Sequence, residues 1–247
     1  MKIALLSDPH GNLLALEAVL RDVAMQKPDA IACLGDYTYG GAEPRRTAER
    51  IRSLNAMCVR GNMDEAVADA ANPDEISQWV RRDVGDEHAK WMGDLPLTHR
   101  FLPPGGISQQ DDLLICHSTP TSCHPMLLLE HPPITTTFTG ATPLPEAEKL
   151  IAGTRAGLIV YGHIHHFSRG VIGGQPLASI GSIGFPFDGD PRAAWALASW
   201  DRAQWKIDAR RVAYDHEAAA RAIEDSGQPH ADISARRIRT STYVPRT

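Results

Sequence analysis

The sequence predicts an α/β fold, and three observations carry that prediction. Short apolar runs alternate with stretches of helical period across residues 3–59. Five buried runs each end in Asp, Asn or His, often beside Gly. From residue 158 onward the apolar runs become closely spaced, as in antiparallel pairing.

The elements follow in order. Residues 3–6, Ile-Ala-Leu-Leu, read as a buried strand, and Leu13, Leu14, Leu16, Val19, Leu20 and Val23 then recur with helical period. Residues 30–34 form a second strand. A helix is expected over residues 43–54, with Pro44 tolerated in its first turn, before a third strand at 56–59. This order implies right-handed crossovers and a parallel sheet covered on both faces. Residues 65–95 read as helices over the sheet, the second opening at Asn72-Pro73-Asp74 and carrying Trp79, Val80, Val84 and Trp91. A weak strand at 98–102 ends in the turn Pro103-Pro104-Gly105-Gly106, and the next strand is 113–116. Residues 119–145, rich in Pro and Thr, read as a long loop of the kind that often serves as a lid. A helix near 146–151 precedes strands at 158–161, 167–172, 176–180, 193–200 and 205–214, expected to pair antiparallel. Two helices, 216–225 and 231–239, close the chain. One domain is expected over residues 1–240, with 241–247 as a frayed, flexible tail.

Composition narrows the function classes. With 43% hydrophobic and 22% charged residues in 247, the chain is not an intrinsically disordered one. A net charge of -5 gives no broad attraction to nucleic acid, so no stable nucleic-acid partner is expected. The run Arg236-Arg237-Ile238-Arg239 reads as a solvated helix face. Cys33, Cys58, Cys116 and Cys123 are mutually isolated, which suggests reduced thiols. No apolar stretch approaches the ~18 residues needed to span a bilayer, and Asp8 comes too early for a signal peptide, so the cytoplasm is the expected setting.

Chemistry gathers behind the strands. Asp8-Pro9-His10-Gly11-Asn12 follows the first, Gly35-Asp36 the second and Gly61-Asn62-Met63-Asp64 the third. His117-Ser118 follows 113–116, and Gly162-His163-Ile164-His165-His166 follows 158–161. Ligands of open α/β sheets bind at the carboxyl ends of strands, so these segments are expected to converge. Two Asp, one Asn and four of the 11 His supply oxygen and imidazole ligands without a thiolate, a set suited to Mn²⁺, Fe²⁺, Zn²⁺ or Ni²⁺. Asp8 and His10, like His163 and His165, stand at i and i+2, which aims both members to one side of an extended segment. Seven ligands are too many for one tetrahedral ion; they suit two ions ~3.5–4 Å apart that share a carboxylate.

These blocks, Asp8-x-His10, Gly35-Asp36, Gly61-Asn62, His117 and Gly162-His163-x-His165, resemble the calcineurin-like metallophosphoesterase superfamily. Gly35-Asp36-Tyr37-Thr38-Tyr39-Gly40, Val59-Arg60-Gly61-Asn62, Gly181-Ser182-Ile183-Gly184 and Asp188-Gly189-Asp190-Pro191-Arg192 are similar to its small bacterial single-domain members. The resemblance implies a sandwich of two mixed sheets flanked by helices. It also implies two divalent ions, Mn²⁺ or Fe²⁺ first, with Zn²⁺, Ni²⁺ or Mg²⁺ as alternatives. One ion would be held by Asp8, His10, Asp36 and His165, and the other by Asp36, Asn62, His117 and His163. A metal-bridging hydroxide would attack phosphorus in a phosphodiester or phosphomonoester, with Asp36, Asn62 and His117 at the catalytic centre. The substrate is expected to be small and phosphorylated, with a nucleotide-like one as a candidate. The alternatives are a pyrophosphohydrolase of dinucleoside polyphosphates and a non-catalytic interaction module that keeps the fold.

One position departs from the pattern. Many members carry His after the Gly-Asn block, where this chain has Met63, which cannot transfer a proton. Diesters with good leaving groups are therefore slightly favoured, with His124 or His166 as a substitute proton donor. Arg60, His124 and His166 are the candidate substrate contacts. For Arg60 an ion pair is an equal reading, and for His124 and His131 an exposed loop position is the plainer one. Asp64 reads at least as well as a helix cap as a catalytic group. Asp188 and Arg192 are expected to pair. Substrate choice is assigned to residues 65–95 and 119–145.

Overall fold

The structure, a computed structural model, describes residues 1–130, 133 and 140–246. His131 and, with it, residues 132 and 134–139 of the expected lid fall outside the described residues. The strands are β1 (Lys2–Leu6), β2 (Ala30–Cys33), β3 (Met57–Cys58), β4 (Thr98–Phe101), β5 (Leu113–Cys116), β6 (Leu158–Tyr161), β7 (Phe167–Ile172), β8 (Gln175–Ile180), β9 (Ala193–Trp200) and β10 (Trp205–Val212). The helices are α1 (Leu13–Gln26), α2 (Pro44–Arg52), α3 (Asn62–Ala68), α4 (Glu75–Asp94), α5 (Leu144–Ile151), α6 (His216–Asp225) and α7 (Ala231–Thr240).

The strands form two five-stranded sheets, in the orders β10-β9-β1-β2-β3 and β4-β5-β6-β8-β7. Both are mixed. In the first, β1, β2 and β3 are parallel and β9 runs antiparallel to β1. Successive side chains of β1 serve two cores, as the two-residue period of a strand requires. Ile3 and Leu5 pack between the sheets with Leu113, Ile115 and Val160. Ala4 and Leu6 face the opposite way, under α1, α2 and α4. On the far side of the second sheet, α5 and residues 127–128 cover Leu114, Ile159 and Leu177. A fourth cluster joins α6 and α7 to Phe185 and Phe187. The expected sandwich of mixed sheets flanked by helices is therefore the observed one.

The late strands depart from a simple antiparallel reading. β6 pairs in parallel with both β5 and β8, and β7 lies at the edge, antiparallel to β8. The reason lies in the connections. β7 and β8 are joined by the tight turn Gly173-Gly174, both with positive φ, the chemistry of a two-residue hairpin. The segment between β6 and β7 carries Gly162-His163-Ile164-His165-His166 and is too elaborate for a hairpin turn. Two polar expectations are also corrected. Asp188 pairs with Arg211, whereas Arg192 pairs with Asp190 at 2.7 Å, because β10 brings Arg211 alongside the loop.

The C-terminal segment, expected to fray, makes specific contacts through Arg246. Arg237 Nε and Nη2 donate to the Val244 carbonyl at 2.9 and 2.6 Å. Tyr243 meets Phe187 edge to face at 5.6 Å, and Arg246 pairs with Asp74 at 2.6 Å. The four cysteines are free. Among the described residues no helix is long and apolar enough to cross a membrane.

Candidate metal centre

The loops after β1, β2, β5 and β6, with the start of α3, bring all seven expected ligands into two adjoining groups. Asp8, His10 and His165 form one, and Asp36, His117 and His163 form the other, each with potential ligand atoms within 4.8 Å of one another. Asn62 Oδ1 joins the second group, 3.0 Å from His117 Nε2. Asp36 Oδ2 lies between them, 3.7 Å from His10 Nε2 and 3.4 Å from His117 Nε2.

The backbone bends sharply to achieve this. Asp8, His10, Asp36, His163 and His165 have φ of 53°, 49°, 56°, 65° and 59°, in the left-handed region. Asp and His tolerate it better than most residues, yet each costs on the order of 1–3 kcal/mol. Surrounding contacts over-determine the bends. Asp8 N donates to Gly35 O at 3.1 Å, and the Asp8 carbonyl accepts from Gly184 N and Ser182 Oγ, both at 2.9 Å. The Gly181-Ser182-Ile183-Gly184 turn thus braces the first loop from β8. Gly35 and Gly61 leave room for the ligands. A Cβ on Gly35 would lie 2.8 Å from His117 Nδ1, and one on Gly61 would clash with Asp36 Oδ1.

Hydrogen bonds fix the imidazole tautomers. A backbone carbonyl only accepts, so the ring nitrogen facing it carries the proton. His10 Nδ1–H donates to Tyr39 O at 2.6 Å and His165 Nδ1–H to Phe185 O at 2.6 Å. Their Nε2 atoms then face each other at 3.2 Å. His117 Nδ1–H donates to Leu34 O at 2.7 Å, and His163 Nε2–H to His124 O at 3.0 Å. This leaves His117 Nε2 and His163 Nδ1 facing each other at 3.2 Å. Two pairs of inner ring nitrogens therefore converge, the arrangement in which metal-binding histidines are held by their outer nitrogen.

Electrostatics favour positive charge at this centre. Burial works to raise the Asp8 carboxyl, but the adjoining His165 and His10 hold it well below its usual value. Burial likewise opposes the lowering of Asp36 by His117 and His10. Against its own burial, His117 is drawn up to about 10 by Asp36, whereas burial and the neighbouring His117 push His163 down to about 3. Asp8 Oδ1 is buried with no hydrogen-bond partner. A buried anionic oxygen without a partner is costly unless a cation meets it. The donor set and this orphaned oxygen fit divalent metal.

Asp64 is structural. Its carboxylate accepts from Gly61 N at 2.8 Å, Asp36 N at 2.9 Å and Tyr37 N at 3.0 Å, tying the start of α3 to the Asp36 loop. Burial and the Asp36 charge push its carboxyl up to about 7.

The three expected substrate contacts lie elsewhere. Arg60 pairs with Glu65 at 2.9 Å and donates to Gly93 O at 2.5 Å. The His124 ring is largely exposed and binds Glu65 at 2.6 Å, so this residue reaches the centre only through its carbonyl on His163. His166 is buried, with Nδ1–H on Ile164 O at 2.9 Å. None of the three lines the cavity of about 350 Å³ that opens on the ligand group. Nor does any residue of 65–95. That stretch contributes Asp74, which holds the tail, while Met126 comes from the long loop. The wall instead includes Tyr39, Phe185, Phe187, Arg237, Tyr243 and Arg246. Sequence reading missed the last three because an arginine-rich helix and a short tail are ordinary solvated features. The aromatic Tyr243 in that tail was the available signal.

This fold, with its two candidate metal-binding groups, is that of a phosphoesterase class, and the comparisons agree. Residues 1–167 match the family model described as calcineurin-like phosphoesterase, and the chain belongs to that family. It is similar to the crystal structure of a metallophosphoesterase from Sphaerobacter thermophilus, at 25% identity and a TM-score of 0.75, covering 98% of this chain and 100% of that one. A hypothetical protein from Pyrococcus horikoshii shares the fold, with a TM-score of 0.76 at 18% identity over 100% and 99% of the two chains. An uncharacterized protein of Methanocaldococcus jannaschii is 37% identical over 102 residues, 38% of this chain and 42% of that relative, so the match spans less than half of it.

Proposed function

We propose that this chain is a dinuclear metal-dependent phosphoesterase that hydrolyses phosphodiester or phosphomonoester bonds of a small phosphorylated substrate. The observation that carries the reading is the pair of facing imidazole contacts, each at 3.2 Å, with the Asp36 carboxylate between them. One divalent ion is assigned to Asp8, His10, Asp36 and His165, and the other to Asp36, Asn62, His117 and His163, with Asp36 shared. When bound, such ions supply an activated water and neutralise charge on the phosphoryl group. Mn²⁺ and Fe²⁺ are among the ions that oxygen and imidazole donors suit.

The chain's own groups do the positioning. Carbonyls of Leu34, Tyr39, His124 and Phe185 orient the four imidazoles. Met63 N–H donates to Asp36 Oδ1 at 2.8 Å, which leaves Oδ2 for the centre. Among the described residues the histidines lining the cavity are His10, His163 and His165, all in the ligand set. Neither His124 nor His166 lines the cavity beside Met63. Leaving groups that need no protonation are thus favoured, and diesters over monoesters.

The test is hydrolysis of para-nitrophenyl phosphate and its bis ester with Mn²⁺, Fe²⁺, Zn²⁺, Ni²⁺ or Mg²⁺ added in turn. Turnover of the bis ester at the higher rate is expected. No turnover of either ester with any of these metals would sink the reading.

A further inference from the structure

The cavity wall holds two arginines in unlike states. Arg246 is neutralised, its guanidinium on Asp74 Oδ1 at 2.6 Å. Arg237 is half-buried, and among the described residues no carboxylate stands within ion-pair distance of it. Two of its nitrogens are spent on the Val244 carbonyl, and its charge lies 5.0 Å over the Tyr243 ring. A guanidinium stays charged at any physiological pH. A half-buried guanidinium without a carboxylate partner leaves its charge available to an anionic ligand.

Beside Arg237 the wall is aromatic and thioether in character, from Tyr39, Met63, Met126, Phe187 and Tyr243. About 350 Å³ is far more than one phosphoryl group needs and falls in the range of small-molecule sites. We propose that Arg237 binds a second anionic group of the substrate, beyond the phosphoryl at the metal centre, while the aromatic wall takes a planar ring. The substrate class is then a nucleotide-like phosphate ester with more than one phosphate. This rests on the dinuclear reading for the first phosphate only. The C-terminal segment thereby sets specificity, with Asp74 and Val244 holding it over the cavity.

The test is calorimetric titration of the Mn²⁺-loaded full chain with two probes. One is inorganic phosphate. The other is an adenosine diphosphate analogue with a methylene bridge between its phosphorus atoms, which resists hydrolysis. Arg237→Gln should weaken the analogue about 10- to 100-fold, the range for a hydrogen bond to a charged group. It should leave phosphate within about twofold, since phosphate needs the metals alone. Arg237→Lys keeps the charge but not the fork on Val244, and should hold analogue affinity to within about fivefold. Tyr243→Ala should weaken the analogue about fivefold or more through lost stacking, with phosphate unchanged. Unchanged analogue affinity in Arg237→Gln, equal loss of both probes, or equal loss in the Gln and Lys variants would overturn the proposal. The last outcome would assign Arg237 to holding the tail. Wild-type protein that binds no inorganic phosphate counts instead against the metal centre, whereas selective loss in Arg237→Gln is read from the analogue by itself.

Discussion

His10 and His165 meet nitrogen to nitrogen, with Nε2 3.2 Å from Nε2 and both Nδ1 protons committed to backbone carbonyls at 2.6 Å. Two neutral imidazoles in these tautomers point lone pairs at each other. His10 and His165 would be relieved of that repulsion by holding a cation, and the orphaned Asp8 Oδ1, 3.3 Å from His165 Nε2, would help to hold it.

Metal should therefore stabilise the fold. At a hundredfold excess over its Kd, an ion that binds only the native state adds about 2.7 kcal/mol, or about 5–10 °C in Tm for a domain of this size. Chelator should lower Tm and Mn²⁺ should restore it. Thermal melts that do not respond to chelator or to any added divalent metal would contradict the site.

Asp36 lies between the two groups, so Asp36→Asn should harm both. Turnover should fall at least ~1,000-fold, in line with loss of metal-based charge stabilisation, and bound metal measured by elemental analysis should fall below two ions. His117→Ala should behave alike in activity. Full activity in either variant would contradict the assignment.

Gly61→Ala separates the centre from general stability. Gly61 has an ordinary extended backbone, φ -95°, so Ala is not strained in its own φ, but its Cβ would strike Asp36 Oδ1 and lie 2.5 Å from Asp36 N, so the Asp36 loop must shift. Turnover and metal content should drop together, while a change in far-UV circular dichroism is not expected. Wild-type kinetics in this variant would mean that Asp36 can move without consequence.

Asp64→Ala leaves three N–H groups without their acceptor, those of Asp36, Tyr37 and Gly61. Unsatisfied buried donors cost ~1–3 kcal/mol each, so urea denaturation should show a loss of about 3 kcal/mol or more. A loss under about 1 kcal/mol, the level of an ordinary surface change, would show that the brace is dispensable.

Asp74 both caps α4, accepting from Ser77 N at 2.8 Å, and pairs with Arg246. Asp74→Asn keeps a capping oxygen and loses the ion pair; Asp74→Ala loses both, at a further cost of about 1 kcal/mol for the cap. Limited proteolysis should clip the C-terminal segment faster in both variants. The pairing lowers the Asp74 carboxyl against its partial burial. Its contribution is thus present above the ordinary carboxylate pKa and lost only as pH falls through the lowered one, so the tail should hold throughout the neutral range. Equal proteolysis of wild type and Asp74→Asn at neutral pH would show that the pair does not hold the segment.

Much of the centre was legible because its signals are local. The ligands stand behind apolar runs, and the parallel strands β1, β2 and β3 of one sheet and β5 and β6 of the other carry them at their carboxyl ends. Asp64 was readable as a cap for the same reason, since Gly61 and Asp64 are three apart. The cavity wall was not legible. Arg246 meets Asp74 across 172 positions of sequence, and Arg237 looks like any residue of a solvated basic helix until α7 is packed on Phe185 and Phe187.

By itself, then, the sequence determined the α/β class, the convergence of Asp8, His10, Asp36, Asn62, His117, His163 and His165, and the donor chemistry they offer. Periodicity and strand-end position are properties of neighbouring residues, so they can be read in one dimension. The sheet order that moves β7 to an edge, the tautomers set by distant carbonyls, and the tail that places Arg237 and Tyr243 in the cavity emerge with the closed fold. Those depend on which surfaces meet after the chain has closed, and burial of that kind leaves no periodic trace in the residues concerned.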